Sequence, residues 1–286
     1  MEEKNMSLTN KIDFALVFSV KKANPNGDPL NGNRPRIDYD GFGEVSDVCL
    51  KRKLRNRLLD MGENIFVQSD DYRKDEYRSL KDRFENTISK ETRADREKLI
   101  KEASKIWYDV RAFGQVFPFG GSKEAGVESV SIGIRGPVSI QNAVSLKTVD
   151  ISSLQITKSV NLETNKSNPD KKGKDTMGMK HRVEYGVYVT YGSINCQLAK
   201  KTGFNDKDAE KLLLALKTIF ENDESAARPS GSMKVEAVVW WKHNCETGQY
   251  PSGVVHNSIK VEFDENTKKI IIVDVEPLID LERTIY

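Results

Sequence analysis

Residues 14–20 read Phe14-Ala15-Leu16-Val17-Phe18-Ser19-Val20, and residues 24–36 read Asn24-Pro25-Asn26-Gly27-Asp28-Pro29-Leu30-Asn31-Gly32-Asn33-Arg34-Pro35-Arg36. The first segment is a nearly continuous apolar run, which is typical of a central strand covered on both faces. The second contains three Pro, two Gly and four Asn. It suits neither a helix nor a sheet interior, because Pro lacks a donor and Asn-Gly favours left-handed turns. We therefore predict a stiff loop at the end of a buried strand, where side chains can be aimed at a ligand.

A cationic helix is predicted shortly after this loop. Ser46 is a suitable N-cap, and the helix is expected to run to about Leu59. Its buried stripe repeats every fourth residue and consists of Leu50, Leu54 and Leu58. Its cations are Lys51, Arg52 and Arg55 on the opposite side, with Lys53 and Arg57 at the flanks of the stripe.

Like charges repeat along this helix. Lys51 lies one turn before Arg55, and Lys53 lies one turn before Arg57. Such pairs cost stability unless an anion is bound beside them. The alternative is an ordinary solvated helix face next to a turn-rich connection. The succession of loop and cationic helix favours an anion-binding surface.

The composition excludes several classes of protein. The chain has 286 residues, of which 37% are hydrophobic and 31% charged, so it is too polar for a membrane protein and long enough for one large core or two smaller ones. Lys and Arg total 45 against 43 for Asp and Glu, so a nucleic-acid site must come from local clustering. No signal peptide is recognised, nor any apolar run of roughly 18 residues. The expected location is the cytoplasm.

The cysteines and histidines do not predict a metal site. Cys49, Cys196 and Cys245 are widely separated and odd in number, which suits reduced thiols. His243 and His256 flank Cys245, but a fourth ligand and zinc-site spacing are missing. We therefore expect no metal and no cofactor.

Two segments read as insertions into the core. The segment from Asp70 to Lys105 is dense in charges of both signs and is expected to be an exposed helical insertion. The segment from Asp150 to Arg182 has no clear period and is expected to be a protruding loop. Its return limb is basic and carries Lys166, Lys171, Lys172, Lys174, Lys180 and Arg182.

The remaining patterns predict an α+β fold. Residues 130–134 and 183–191 alternate as strands, and residues 235–241 form a further strand. A helix capped by Asn205 lies between the last two, with Leu214 facing outward, and residues 259–263 and 270–275 are expected to form a terminal hairpin. The order strand, helix, strand, strand, helix, strand is that of the ferredoxin-like βαββαβ arrangement, the plan of the RNA-recognition fold.

Several motifs together resemble a known family. Besides the loop at 24–36, they are Asp47-Val48-Cys49-Leu50-Lys51-Arg52-Lys53-Leu54-Arg55-Asn56, Asp109-Val110-Arg111-Ala112-Phe113-Gly114, Ser131-Ile132-Gly133-Ile134-Arg135-Gly136-Pro137-Val138-Ser139-Ile140-Gln141 and Lys180-His181-Arg182-Val183-Glu184-Tyr185-Gly186-Val187-Tyr188. In this order they resemble the repeated backbone subunit of type I CRISPR effector complexes, within the RAMP superfamily, and they are most similar to the type I-C (Dvulg) branch. The resemblance covers nearly the whole chain.

The resemblance implies a hand-like organisation. Residues 8–60, 106–148 and 183–286 would form an RRM-like palm, residues 61–105 a helical finger insertion, and residues 149–182 an extended thumb loop. It also implies a non-catalytic subunit of a Cascade surveillance complex, many copies of which assemble head to tail along one CRISPR RNA. Contacts that do not close on themselves generate open helical filaments, which suits a long guide. Its other expected partners are further Cascade subunits, target DNA that pairs with the guide, and a recruited helicase-nuclease.

The expected RNA contacts grip the backbone without reading sequence. Lys51, Arg52 and Arg55 would neutralise phosphates, and the thumb base would contribute Lys180, His181 and Arg182. The loop would position the backbone and sugar through Asn24, Asn26, Asn31, Arg34 and Arg36. Base edges would remain free to pair with the target.

Two rival functions remain open. Relatives with this fold in other CRISPR types cleave RNA, and the candidate residues for such chemistry here are Asp28, Asp38, Asp40 and His181. Metal-assisted cleavage needs converging carboxylates, and acid–base cleavage needs a second proton-transfer group beside the histidine. The sequence shows neither pairing. A nucleic-acid chaperone acting alone is the other alternative, and it predicts a monomer on long RNA.

Overall fold

We analysed the chain as a computed structural model, which describes residues 7–117, 131–159, 177–264, 266–267 and 269–286. Its strands are β1 (Ile12–Ala23), β2 (Gly27–Asp28), β3 (Arg34–Pro35), β4 (Phe42–Val45), β5 (Gly114–Phe117), β6 (Ile132–Arg135), β7 (Val138–Ile140), β8 (Ala143–Thr148), β9 (Ile151–Thr157), β10 (Met177–Ile194), β11 (Met233–Lys242), β12 (Ile259–Asp264), β13 (Lys269–Asp274) and β14 (Glu282–Ile285). Its α-helices are α1 (Asp47–Asp60), α2 (Leu80–Thr87), α3 (Lys90–Ala94), α4 (Arg96–Ile106), α5 (Tyr108–Phe113), α6 (Cys196–Thr202), α7 (Asp206–Lys217) and α8 (Ser252–Asn257).

One large antiparallel sheet organises the mixed α+β fold. Its strands lie in the order β14-β11-β1-β10-β8-β4, and β7 and β9 also pair with β10. β1 is hydrogen-bonded to β10 on one side and to β11 on the other. Most of its residues are buried, so the predicted central strand is confirmed. Both faces of β1 are covered by other elements, and this is why its sequence is a nearly continuous apolar run.

The two faces of the sheet are covered by different elements. Phe14, Leu16 and Phe18 point into the main core, where they pack with apolar residues of α1 and α7. Ala15 and Val17 point to the opposite face and pack near α8 and the β12–β13 hairpin. The predicted terminal hairpin and the helix capped by Asn205 are both confirmed.

One predicted strand belongs to a different sheet. Ile132 and Ile134 of β6 are buried and alternate with exposed neighbours, as predicted. However, β6 pairs with β5 in a separate two-stranded sheet, whereas β8 lies beside β10 in the large sheet. Alternation identifies a strand with one buried face, but it does not identify the partner strand.

The charged segment before α5 has a hydrophobic cluster of its own. Phe84, Ile88 and Leu99 are buried, and they pack with Trp107 and Phe117. The predicted helical character of this segment is confirmed by α2, α3 and α4. Its apolar residues are sparse because a small separate cluster needs few of them.

The prediction of a loop over 150–182 is wrong for its described limbs. β9 pairs with the first part of β10 in a two-stranded ribbon, from Ile151 opposite Val183 to Thr157 opposite Met177. Leu154, Ile156 and the two methionines of the ribbon are exposed. The sequence of the ribbon shows no alternation of apolar and polar residues, because neither face of the ribbon packs against the hydrophobic core. Lys166, Lys171, Lys172 and Lys174 lie outside the described residues.

A buried charged cluster joins the start of β1 to the end of β11. His243 lies with its Nε2 2.8 Å from a carboxylate oxygen of Asp13, and the backbone N–H of Gln249 donates to His243 Nδ1. His243 is therefore neutral and donates from Nε2. Burial by itself would raise the pKa of Asp13, but the hydrogen bond from His243, the His256 ring 3.5 Å away and the Lys11 ammonium 3.1 Å away outweigh it and hold that pKa well below its usual range.

We expect Asp13→Asn to lower the free energy of unfolding by about 3 kcal/mol at pH 7, because it removes one partner of a buried charged cluster. Since the pKa of Asp13 is depressed on folding, the stabilisation is complete above its unfolded pKa and is lost as the pH falls. The free energy of unfolding measured with urea should fall between about pH 5 and pH 3, and it should fall more steeply for the wild type than for the variant. Parallel pH profiles would contradict this assignment.

Among the described residues, no helix combines the length and the hydropathy needed to cross a membrane.

Candidate nucleic-acid interface

The loop after β1 folds back on itself as a small hairpin. β2 pairs with β3, and a 3-10 turn at Pro29–Asn31 joins them. Gly32 and Asn33 both adopt left-handed backbone conformations, with φ of 58° and 59°. These are the residue types that tolerate such conformations best, so the Asn-Gly-Asn sequence predicts this turn.

Two asparagines of the loop hold it in place. Asn24 is buried, its amide nitrogen donates to the carbonyl of Asn33 at 2.7 Å, and its backbone N–H donates to Ala227. The side-chain oxygen of Asn26 accepts from both the backbone N–H and the hydroxyl of Ser46 at 3.0 Å. Because Ser46 caps α1, Asn26 connects the loop directly to the start of the cationic helix.

The tip of the loop presents different groups. Asn31 is exposed, and its neighbour Leu30 is 98% exposed. Tyr39 is fully exposed and Val48, in the first turn of α1, is 66% exposed. The sequence patterns did not predict that the side chains of Leu30, Tyr39 and Val48 are exposed here. Their exposure could have been predicted, because each is an apolar residue inside a turn-rich or polar segment that is not expected to contribute to the core.

The loop arginines have partners within the protein. Arg36 lies 3.5 Å from Asp28, and its Nε is buried with no hydrogen-bond partner among the described residues. Arg34 donates from Nη1 to the hydroxyl of Ser153 at 3.0 Å, which links the loop to β9 of the ribbon. Arg36 therefore pairs within the loop, whereas Arg34 lies between the loop and the ribbon.

The cations of α1 each lie beside an acceptor. Their partners are Asp47 for Lys51 at 3.0 Å, Asp71 for Arg52 at 3.6 Å, Asp223 for Lys53, Asp109 for Arg55 at 3.0 Å and the Thr218 hydroxyl for Arg57 at 2.8 Å. Asp47 lies one turn before Lys51 on the same helix, whereas Asp71, Asp109, Thr218 and Asp223 come from distant parts of the chain, so periodicity along the helix does not reveal those four. They offset the like-charge repulsion without a bound anion.

The α1 cations differ in how freely they face solvent. The side chain of Arg52 is 61% exposed, whereas that of Arg55 is 13% exposed and lies over the Phe113 ring. Lys53 is buried; burial lowers its pKa, although the adjacent Asp223 carboxylate acts in the opposite direction. Arg52 is thus the most available of these three cations for an external phosphate, and Lys53 is a core residue.

The two faces of the β9–β10 ribbon carry different site residues. Directly paired residues of an antiparallel ribbon lie on the same face, and neighbours along a strand lie on opposite faces. His181 pairs with Ser153, and its Nδ1 lies 2.8 Å from the Ser153 hydroxyl. Since that hydroxyl also accepts from Arg34, His181 lies on the face toward the loop. Lys180 and Arg182 lie on the other face.

Arg182 is also engaged within the ribbon. Its Nε lies 3.2 Å from both Glu184 and the Ser152 hydroxyl. The structure therefore brings His181 together with Arg34, and it does not bring Lys180, His181 and Arg182 to one surface. Adjacency in sequence had suggested a single basic cluster, but strand geometry divides it.

The carboxylates of Asp28 and Asp38, which are candidate catalytic residues, stabilise turns by accepting hydrogen bonds from backbone N–H groups. Asp28 accepts from the backbone N–H of Leu30 and faces Arg36. Asp38 accepts from the backbone N–H groups of Asp40 and Phe42. Among the described residues, no group of three or more His, Cys, Asp or Glu side chains is placed to hold a metal ion.

A cavity lies beside the loop and α1. It has a volume of about 680 Å³ and is lined by Asn26, Arg52, Arg55, Gln68 and Tyr72, among others. Lys53 and Arg228 also line it, but so do Asp71, Asp223 and Glu224. Its charge is therefore nearly balanced, and its polar lining includes amide groups that can form hydrogen bonds to a nucleotide.

The Arg55–Asp109 pair is expected to contribute to stability. Asp109 is buried, and it also accepts from the backbone N–H groups of Phe66 and Val67. Arg55→Ala should lower the free energy of unfolding by about 3 kcal/mol, because it leaves a buried carboxylate without its cation. Chemical denaturation would measure the loss. Adding Asp109→Asn to Arg55→Ala should recover part of the lost free energy of unfolding. If the double variant instead lost as much as the two single variants together, the two side chains would not be directly coupled.

Comparison with known proteins identifies relatives over nearly the whole chain. The family described as CRISPR-associated protein Cas7 matches residues 10–277. A protein of Haloferax volcanii with the same description is 27% identical over 293 residues, which cover 97% of this chain and 84% of that protein.

The fold resembles chains from two solved assemblies. One belongs to a CRISPR RNA-guided surveillance complex described as pre-nicking; the TM-score is 0.50 at 14% identity, with 85% of this chain and 83% of that chain covered. Another CRISPR RNA-guided surveillance complex contains a chain with a TM-score of 0.43 at 16% identity, with 81% and 68% covered. At such identities the first likeness concerns the fold alone.

Proposed function

The chain belongs to the Cas7 family, and from this premise we propose that it is a non-catalytic backbone subunit of a CRISPR RNA-guided surveillance complex. In this function it binds the sugar–phosphate backbone of a CRISPR RNA and leaves the bases free to pair with target DNA. The observation that carries the proposal is the convergence of the loop at 24–36, the start of α1 and the β9–β10 ribbon, joined by the Asn26–Ser46 and Arg34–Ser153 hydrogen bonds.

Within this surface the residues have different roles. We assign direct contacts with the RNA backbone to Asn31 and Arg52, which are exposed, and to Arg34, Arg36 and Lys51, which are half-buried and carry cationic heads. Asn24 and Asn26 position the loop, since their amides are engaged inside the protein. Arg55 holds α1 in place beside this surface, because its guanidinium pairs with the buried carboxylate of Asp109.

The ribbon supplies contacts on both of its faces. His181 faces the loop and shares the surface with Arg34, while Lys180 and Arg182 face away from it. We assign His181 to the RNA held by its own subunit. The opposite face, where Leu154 and Ile156 are exposed, is available to RNA or protein of a neighbouring copy.

The strand order supports the proposed hand-like organisation. Four adjacent strands of the sheet lie in the order β11-β1-β10-β8. In chain order β1 is the first of these four, β8 the second, β10 the third and β11 the fourth. Their spatial order is therefore 4-1-3-2, which is that of a ferredoxin-like sheet. We propose that this sheet with α1 and α7 is the RRM-like palm, that residues 61–105 are the fingers and that residues 149–182 are the thumb. The motifs of the sequence favour the type I-C branch.

The proposed assembly is a head-to-tail filament whose two ends differ and do not close into a ring. Copies of the chain would associate head to tail along the guide, in the cytoplasm, together with other Cascade subunits and a recruited helicase-nuclease. Leu214, which is 49% exposed on α7, is the contact between copies that the helix pattern offers.

Removing the most available α1 cations should weaken RNA binding without changing its sequence preference. We expect Lys51→Ala/Arg52→Ala to reduce affinity about tenfold for unrelated RNA sequences alike, and to lower the salt slope by about 0.7 for each lost phosphate contact. Fluorescence anisotropy across a salt series measures both quantities. A matched control is Lys260→Ala/Lys269→Ala, which removes two exposed cations from the terminal hairpin. A loss confined to one RNA sequence would overturn backbone gripping.

The non-catalytic part of the proposal has its own test. Labelled RNA incubated with the protein and Mg²⁺ should be protected at regular intervals and remain uncut, with several copies bound to one long RNA. Specific cutting that Asp28→Ala or His181→Ala abolishes would instead establish the RNA-cleaving alternative. A single copy on every length of RNA would favour the solitary chaperone.

A further inference from the structure

A second concave surface lies on the helical side of the fold, away from the loop at 24–36. It is a cleft of about 1010 Å³ between α4, α5, α6 and the start of α7. Its lining contains six lysines and Arg111, against only Glu97 and Asp208. The cavity beside α1 has nearly balanced charge, whereas this basic cleft has a strong excess of cations. A concave surface of one charge sign concentrates counter-charged ligands.

The basic cleft and the cavity beside α1 lie on opposite sides of α5. Asp109 pairs with Arg55, which lines the cavity beside α1. Arg111, two residues later, lines the basic cleft and forms two hydrogen bonds to Asp208 at 2.9 Å. Residues two apart on an α-helix point about 200° apart. The described residues that line the two concave surfaces are all different, so the two surfaces can be tested separately.

The lysines of the basic cleft differ in their internal partners. Lys200 pairs with Glu246 and Lys211 with Glu63. In the described part of the chain, Lys101, Lys105 and Lys201 are exposed and have no ion pair or hydrogen bond from their side chains. They belong to two different helices, α4 and α6, that face each other across the cleft. Their charges are available to an external polyanion.

The lining also indicates the class of ligand. Ile100 is the one large apolar residue among those that line the basic cleft. Protein partners usually require buried apolar or aromatic anchors, whereas a phosphate backbone requires only spaced cations. The start of α7 offers no spare anion site, because Asn205 and Asp208 already form a capping box there. Side-chain cations therefore dominate recognition.

We propose that the basic cleft binds the sugar–phosphate backbone of a second nucleic-acid strand, separate from the guide. The inference rests on the proposed function, since it assigns the loop and α1 to the guide. Recognition is independent of sequence, because none of the described residues that line the cleft is aromatic, and bases would have no ring on which to stack. The three unpaired lysines supply the salt-sensitive part of the affinity.

The test uses the full chain already saturated with guide RNA. Labelled single-stranded DNA, single-stranded RNA and duplex DNA of one unrelated sequence are titrated separately, so that the three arms identify the source of the second strand. We expect Lys101→Gln/Lys105→Gln/Lys201→Gln to weaken binding of the preferred nucleic acid about tenfold. Its salt slope should fall by about 2 for a single strand, at about 0.7 for each of three contacts, or by about 2.7 for duplex DNA, at about 0.9 for each. Guide binding should remain unchanged.

Two controls separate charge at this cleft from total charge. Lys242→Gln/Lys260→Gln/Lys269→Gln removes the same charge from exposed positions on other elements, and it should leave second-strand binding within about twofold of the wild type. Lys101→Arg/Lys105→Arg/Lys201→Arg keeps the charge and should retain binding.

Three results would overturn the proposal. Equal loss in the cleft variant and the Lys242 control would show a general charge effect. Loss of guide binding in the cleft variant would show that one strand uses both surfaces. A change in the number of copies per guide, with second-strand binding per copy intact, would assign the cleft to a protein neighbour. The Lys51/Arg52 variant tests guide binding independently, so failure of the proposed function is recognised separately.

Discussion

The pairing of β1 with β10 determines where the candidate interface forms. The two strands are hydrogen-bonded from Ile12 opposite Ile194 to Ala23 opposite Val183. Beyond that last pair, β1 continues into the loop at Asn24, and β10 continues in the reverse direction into the ribbon at Arg182. Because the register is set by two buried faces, the loop and the ribbon must emerge side by side. Segments nearly 160 residues apart in sequence (24 to 182) thus form one surface.

Short polar links then connect this surface to the helical layer. Asn26 accepts from Ser46 at the start of α1, and Arg34 donates to Ser153 on the ribbon. Neither link provides much energy by itself, since a typical net hydrogen bond contributes about 1 kcal/mol. Their effect is geometric: three elements from different parts of the chain keep fixed relative positions, as a binding surface for a regular polymer requires.

Charge on this fold is distributed more evenly than the sequence suggests. α1 looks like an excess of cations when it is considered alone, yet its basic side chains face Asp47, Asp71, Asp109 and Asp223. The basic cleft shows the reverse. Its lysines come from α4, α6 and α7, and no run of like charges marks them in sequence. Electrostatic character at a surface is therefore a property of what the fold brings together, and α5 separates the two regions with Asp109 on one side and Arg111 on the other.

Local signals were sufficient for the elements with strong internal patterns. The apolar run at 14–20, the cap at Ser46 and the leucine stripe of α1 each depend on neighbouring residues, so they were predictable, as was the family from its ordered motifs. The partner of β6, the ribbon formed by β9 and the division of Lys180 from His181 depend on pairing between distant strands. Local periodicity does not encode such pairing, because alternation specifies a buried face and leaves the neighbour open. Asp71, Asp109 and Asp223 beside the α1 cations and the assembly of the basic cleft were hidden for the same reason.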